Sequence, residues 1–184
     1  SGLGCSVWRA APVDNPPMIA SSHIVQACRA LGFAAAGVCR AEPASRPEAF
    51  ESWIAQGRHA SMDWLTEYTD QRLDVRRLIP GREVRAVIMV ADAYAASAEG
   101  GPQAPIPGRG RVARYARGHD YHQVIRRRLH QLADRLRSRE PGHEFRSFVD
   151  TGPVLEREHA ARAGLGFIGK HTLLIDPHAG SYLL

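Results

Sequence analysis

The sequence predicts an α/β domain of the α+β kind, a mixed sheet flanked by helices, on three observations. Val84–Ala91 (VRAVIMVA) has the length of a strand and is apolar on both faces, so it needs cover on both sides. His119–Arg139 carries Tyr121, Ile125, Leu129, Leu132 and Leu136 at helical spacing, with arginines over the rest of its surface. Around these two, short strand-like and helical segments alternate, the order of a layered sheet-and-helix domain. The chain contains no internal repeat.

Taken in order, residues 1–17 hold three prolines and no periodicity, and 1–18 reads as a flexible lead-in to a domain over 19–184. Ile19–Leu31 places Ile24, Ala27, Cys28 and Leu31 on one helical face, with Ser21 or Ser22 as cap and Gly32 as stop. Phe33–Cys39 reads as a short strand. Ser45-x-x-Glu48 has the form of a capping box, ahead of a helix with Phe50, Trp53 and Ile54 on its apolar side. Ser61–Tyr68 suggests a further short helix carrying Met62, Trp64, Leu65 and Tyr68. Past the central strand, residues 92–111 lose all pattern, and their four glycines and three prolines mark a mobile surface loop. Phe145–Asp150 reads as a strand, Pro153–Ala163 as a helix stopped by Gly164, His171–Asp176 as a strand, and Ser181–Leu184 as one more. The chain starts at Ser1 rather than Met, and its last strand has neither turn nor cap, so both ends are expected to be cut.

At 184 residues, 44% hydrophobic and 23% charged, the composition suits a soluble globular domain. No apolar run reaches the roughly 20 residues of a bilayer span, and charge and proline interrupt the N-terminus, which argues against a membrane protein or a signal peptide. Cys5, Cys28 and Cys39 are odd in number and lack C-x-x-C spacing, so reduced thiols in the cytoplasm are expected. The net charge of +5 is built from arginine, with Lys170 as the sole lysine. A GC-rich genome and a polyanionic partner both remain open; the clusters at 109–117 and 126–128 are what the second requires.

The candidate chemistry centres on Phe148–Lys170. Asp150 ends a strand and precedes Thr-Gly-Pro, a place where open sheets bind ligands. Gly152 is expected to let backbone approach a ligand, and Pro153 to start the helix. Two readings of Asp150 stand: a helix cap, or a general acid kept neutral by an apolar wall such as Phe148 and Phe167. Gly164–Lys170 is glycine-rich but lacks P-loop spacing, and a turn against a large flat ligand fits it better. Residues 114–122 mix arginine, tyrosine and histidine at a helix start. Asp120 as cap and Tyr121 as core, a rim for phosphate or a stacked base, and a zinc site on His119 and His122 are all open.

RYARGHDYH (114–122), LIPG (78–81), FVDTGPVLER (148–157), RAGLGFIGKH (162–171) and AGSY (179–182) stand in the order and spacing typical of one family. From about Ser21 to Leu184 the chain resembles the epoxyqueuosine reductases. The resemblance implies a cytoplasmic enzyme that reduces epoxyqueuosine in the wobble position of a tRNA anticodon, using cobalamin and two 4Fe–4S clusters. It also implies a corrinoid domain like that of reductive dehalogenases. Asp150 matches the family's proton donor, and the implied cobalamin contacts fall on Arg72, Ala113, Tyr121, His122, Asp150 and Leu174, with the 164–171 turn nearby. Alanine at 113 supplies neither thiol nor hydroxyl, so only close approach remains there. No side chain is implied as a metal ligand.

Family members continue into a ferredoxin-like domain whose cysteine runs hold the clusters, and the three cysteines of this chain do not match those runs. The chain is therefore expected to be the corrinoid-binding half, monomeric and dependent on an outside electron donor. Without the ferredoxin-like iron–sulfur domain it is expected to be inactive. Arginines at 109–117 and 126–128 are the expected tRNA contacts. The alternatives are a truncated module that binds corrinoid or RNA without catalysis, and a plain arginine-rich RNA-binding domain.

Overall fold

A computed structural model describes residues 4–9, 19–82, 84–94, 108, 110, 112–116 and 118–183, with 6–9 and 114 given by backbone alone. Its centre is a four-stranded sheet formed by β1 (Gly4–Arg9), β2 (Ala35–Arg40), β3 (Val84–Ala91) and β4 (Phe145–Val149) in the order β2-β3-β1-β4. The α/β class with helices on both faces holds, and every pairing in this sheet is antiparallel. Strand β3 has its predicted bounds, and both of its faces are covered. Val87, Met89 and Ala91 join a core with Cys5, Val75, Leu78, Val154, Ala160 and Leu174. Ile88 and Val90 join the opposite core with Ile24, Cys28, Phe33, Ile125, Leu129 and Leu132.

Helices α1 (Ser21–Ala30) and α4 (Tyr121–Arg139) supply the second core, as their apolar stripes require. The first face is closed by α5 (Glu156–Arg162) and the single-turn segment Val75–Arg77. Strand β2 carries Gly37 where α5 ends, and a Cβ there would lie 2.2 Å from the Ala163 carbonyl oxygen. That absence of a side chain lets the helix backbone lie directly on the strand.

Several expectations are corrected. Gly4–Arg9, placed in the lead-in, is an interior strand between β3 and β4, with Cys5 fully buried. Six residues ahead of a proline-rich stretch are too few to show a period, and their hydrogen-bond partners lie far along the chain. Neither Ser21 nor Ser22 caps α1; Ala20 stands there with no side-chain bond. The capping box does not form either. Pro47 sets the first turn of α2 (Pro47–Ala55), and the Ser45 N–H donates instead to Glu158 Oε1 at 2.7 Å. The 61–68 helix is replaced by a short 3-10 turn at Asp63–Leu65 and by α3 (Thr69–Leu73), because Ala60 and Tyr68 adopt φ of 51° and 55° and break the run. Residues 171–176 shrink to β6 (Leu174–Ile175), paired with β5 (Phe167–Ile168) inside the glycine-rich turn. Over the described residues 181–183 the expected strand is reduced to a bridge from Ala93 to Leu183. Residues 95–107 of the expected loop lie outside the described residues; Tyr94, near its start, donates its N–H to the Tyr182 carbonyl at 3.1 Å.

Candidate functional site

Strand β4 ends at Val149, and Asp150 turns out of it with φ 55°. A non-glycine residue rarely holds that left-handed conformation, and such strain concentrates at functional positions. The capping reading of Asp150 fails: α5 begins six residues later, with Leu155 at its N-cap and no side-chain cap bond. Pro153 accordingly does not start the helix. The Asp150 carboxylate turns instead toward α4, where Oδ2 accepts the Tyr121 hydroxyl at 2.6 Å and lies 3.2 Å from His122 Nε2.

Asp120 explains why α4 delivers both partners. It caps the helix by accepting the His122 N–H at 3.0 Å, and the same oxygen lies 2.8 Å from His122 Nδ1. The His122 ring thus sits between two carboxylates, and the Tyr121 ring stacks on it with centroids 4.0 Å apart. Burial, then the hydrogen bond to Asp150, pushes the Tyr121 hydroxyl well above its usual range, so it remains a donor. The hydrogen bond from His122 holds the Asp120 carboxyl below its usual range. On the other side, the Asp150 N–H donates to Glu156 Oε1 at 3.2 Å. Burial and the neighbouring Asp150 push the Glu156 carboxyl up to about 8.

Asp150 and Glu156 line a cavity of about 620 Å³, within the usual range for a small-molecule site. Its walls are largely apolar, formed by Phe50, Trp53, Trp64, Leu65, Val154 and Ile168. Arg72 enters from α3, only 8% exposed, with its guanidinium 5.8 Å from the Trp64 ring centroid and its buried Nε without a partner among the described residues. Burial lowers the Arg72 pKa, while Glu156 opposes that shift.

Of the residues singled out beforehand, Asp150 is the common member. It touches Tyr121 and His122 and shares the cavity wall with Arg72. Ala113 is exposed and lies outside the lining, although the nearby Tyr115 ring meets the Tyr121 ring edge-on at 6.5 Å. The Leu174 side chain belongs to the core, which leaves only backbone to face a ligand. The proposed wall of Phe148 and Phe167 is corrected. Phe148 packs against Gly152, where a Cβ would lie 2.4 Å from its ring, so this glycine accommodates an aromatic side chain rather than a ligand. Phe167 is 57% exposed, and the wall is made by the tryptophans. Arg128, one of the expected tRNA contacts, donates to Asp92 Oδ2 at 2.7 Å and packs on Phe33, while Arg126 and Arg127 stay exposed. Arg109, Arg111 and Arg117 lie outside the described residues, as does the Arg114 side chain. Glu156 and the two tryptophans were not foreseen; the only available signal was Glu156 lying within the FVDTGPVLER motif.

A family model described as "Epoxyqueuosine reductase QueG, DUF1730" matches residues 72–151, which include Arg72, Tyr121, His122 and Asp150. An epoxyqueuosine reductase of Pseudomonas aeruginosa is 37% identical over 84% of this chain and 42% of its own length. One from Gloeobacter violaceus is 39% identical over 89% of this chain and 49% of its own. The chain belongs to the epoxyqueuosine reductase family. It spans less than half the length of these relatives. The structure of an epoxyqueuosine reductase from Streptococcus thermophilus superposes with a TM-score of 0.77 at 26% identity, over 90% of this chain and 44% of that one. A family structure solved with a tRNA-Tyr epoxyqueuosine-modified tRNA stem loop shares the fold, with a TM-score of 0.70 at 23% identity over 88% of this chain and 42% of that one. Among the described residues no helix is long and apolar enough to cross a membrane.

Proposed function

We propose that this chain forms the corrinoid-facing half of a cytoplasmic enzyme that reduces epoxyqueuosine to queuosine in a tRNA anticodon, with Asp150 as proton donor. The observation that carries the reading is Asp150 itself, strained into the left-handed region and held by Tyr121 and His122 at the wall of an apolar cavity. Family membership supports the reaction class, and the relative solved with a modified stem loop supports tRNA as the partner.

The residues suit a corrinoid. A flat macrocycle with amide-bearing edges needs a broad apolar wall and buried donors. Trp53, Trp64, Leu65 and Ile168 offer the first, and the orphaned Nε of Arg72 offers the second. When bound, a corrinoid supplies a strongly reducing cobalt centre. Arg72 and the tryptophans would hold it, with Ala113, Tyr121, His122 and the backbone at Leu174 as the further contacts that family likeness suggests.

The protein's own share is orientation and proton supply. Oδ2 of Asp150 accepts from Tyr121 and faces His122, which leaves Oδ1 as the donating oxygen. As the epoxide opens, its oxygen gathers negative charge and takes the proton. Arg126 and Arg127, exposed on α4, are the described arginines proposed to meet the RNA backbone. An external donor supplies electrons.

The test is Asp150→Asn in the full-length enzyme. Cobalamin binding, followed by its visible spectrum, is expected to persist while turnover falls by roughly a hundredfold or more. Unimpaired turnover would remove Asp150 from the role of donor. A cob(II)alamin spectrum unchanged by excess protein would remove the corrinoid.

A further inference from the structure

Converting an epoxide to an alkene breaks two carbon–oxygen bonds and forms one carbon–carbon π bond. The oxygen leaves as water, so the change consumes two electrons and two protons. Electrons from a low-potential one-electron carrier complete the balance. Asp150 can hold only one of the protons.

The same cavity contains a second carboxyl. Glu156 opens α5, lines the cavity, and accepts the Asp150 N–H on Oε1 at 3.2 Å, so a proton on Glu156 resides on Oε2. Charged and titratable groups that act on it include Asp150 beyond β4, Arg72 on α3, Cys5 on β1 and Arg157 beside it on α5. Two carboxylates this close to each other cannot both ionise freely.

Resting on the function proposed above, we infer that Glu156 is the second proton source of the site, delivering its proton to the hydroxyl that leaves as water after Asp150 has protonated the opened epoxide. Burial, and the charge left on Asp150 once it has given its proton, push Glu156 up to about 8, so Glu156 still holds a proton at neutral pH when the second transfer is due.

Glu156→Gln tests this in the full-length enzyme, because glutamine keeps an oxygen for the Asp150 N–H and has no acidic proton. Cobalamin affinity is expected to stay within about twofold, kcat to fall roughly a hundredfold, and the fall of kcat as pH rises through about 8 to vanish. Infrared spectra of the cobalamin-free protein provide a readout independent of turnover. The wild type is expected to show a protonated-carboxyl band at pH 7 that fades above pH 8 and is missing from the variant. Unchanged kcat and pH profile in E156Q, or no such band in the wild type, would overturn the inference. A wild type that shows the band but never reduces epoxyqueuosine would overturn the proposed function, and this role with it. A wild type that turns over while E156Q is unimpaired would overturn only the role of Glu156.

Discussion

Helix α5 carries a partly buried Glu156 and a buried His159 whose effects on stability oppose each other, and Glu156→Gln separates them. Burial and Asp150 raise Glu156 from 4.5 to about 8. Burial, assisted by Arg162, lowers His159 from 6.5 to about 4. The unfolded chain loses the Glu156 proton near 4.5 and the folded chain keeps it to about 8, so stability is complete below 4.5 and is lost as pH rises to 8. The unfolded chain gains the His159 proton near 6.5 and the folded chain only near 4, so that stability is complete above 6.5 and is lost as pH falls to 4. Each pKa unit is worth about 1.4 kcal/mol. Between 4.5 and 6.5 the two slopes cancel; from 6.5 to 8 Glu156 acts alone and removes at most about 2 kcal/mol. In E156Q the histidine acts alone, so stability rises by up to about 3 kcal/mol from pH 4.5 to 6.5 and then holds to pH 8. Urea unfolding of both proteins at pH 4.5, 6.5 and 8 measures this, since all other groups contribute alike to the two. Parallel curves would refute the assignment of a protonated Glu156.

Three further outcomes are expected. Tyr121→Phe deletes the 2.6 Å hydrogen bond to Asp150, lowering stability by about 1 kcal/mol and turnover roughly tenfold, read by thermal unfolding and single-turnover kinetics. Arg128→Ala removes the 2.7 Å pair with Asp92 and the contact with Phe33, at about 1–2 kcal/mol in urea unfolding; RNA affinity should fall in Arg126→Ala and Arg127→Ala but not in this variant. Gly37→Ala forces a Cβ to within 2.2 Å of the Ala163 carbonyl, so α5 must shift, at about 1–3 kcal/mol in the same assay.

What the sequence disclosed follows from how local each signal is. Strand β3 announced itself because burial on both faces leaves the unbroken apolar run Ala86–Ala91, and α4 because its stripe from Tyr121 to Leu136 spans about four turns. Strand β1 stayed hidden since its stability comes from β3 and β4 rather than from its own six residues. Ser45 and Glu48 had capping-box spacing, yet Glu158, remote in sequence, took the Ser45 N–H, and no local rule anticipates that.

The site divides in the same way. Its letters were readable in the motif around Asp150, whereas its chemistry depends on which elements meet there. Tyr121 and His122 reach Asp150 because Asp120 ends the irregular segment and starts α4 beside the end of β4. Glu156 holds a proton near neutral pH only through burial and the neighbouring Asp150, so the same letter on an exposed helix would be an ordinary carboxylate. Both features converge on the left-handed turn at Asp150, which directs its carboxylate to α4 while its N–H meets α5. Relaxing that turn would separate the two carboxyls from their partners at once, which is a physical reason for a non-glycine residue to hold φ 55° there.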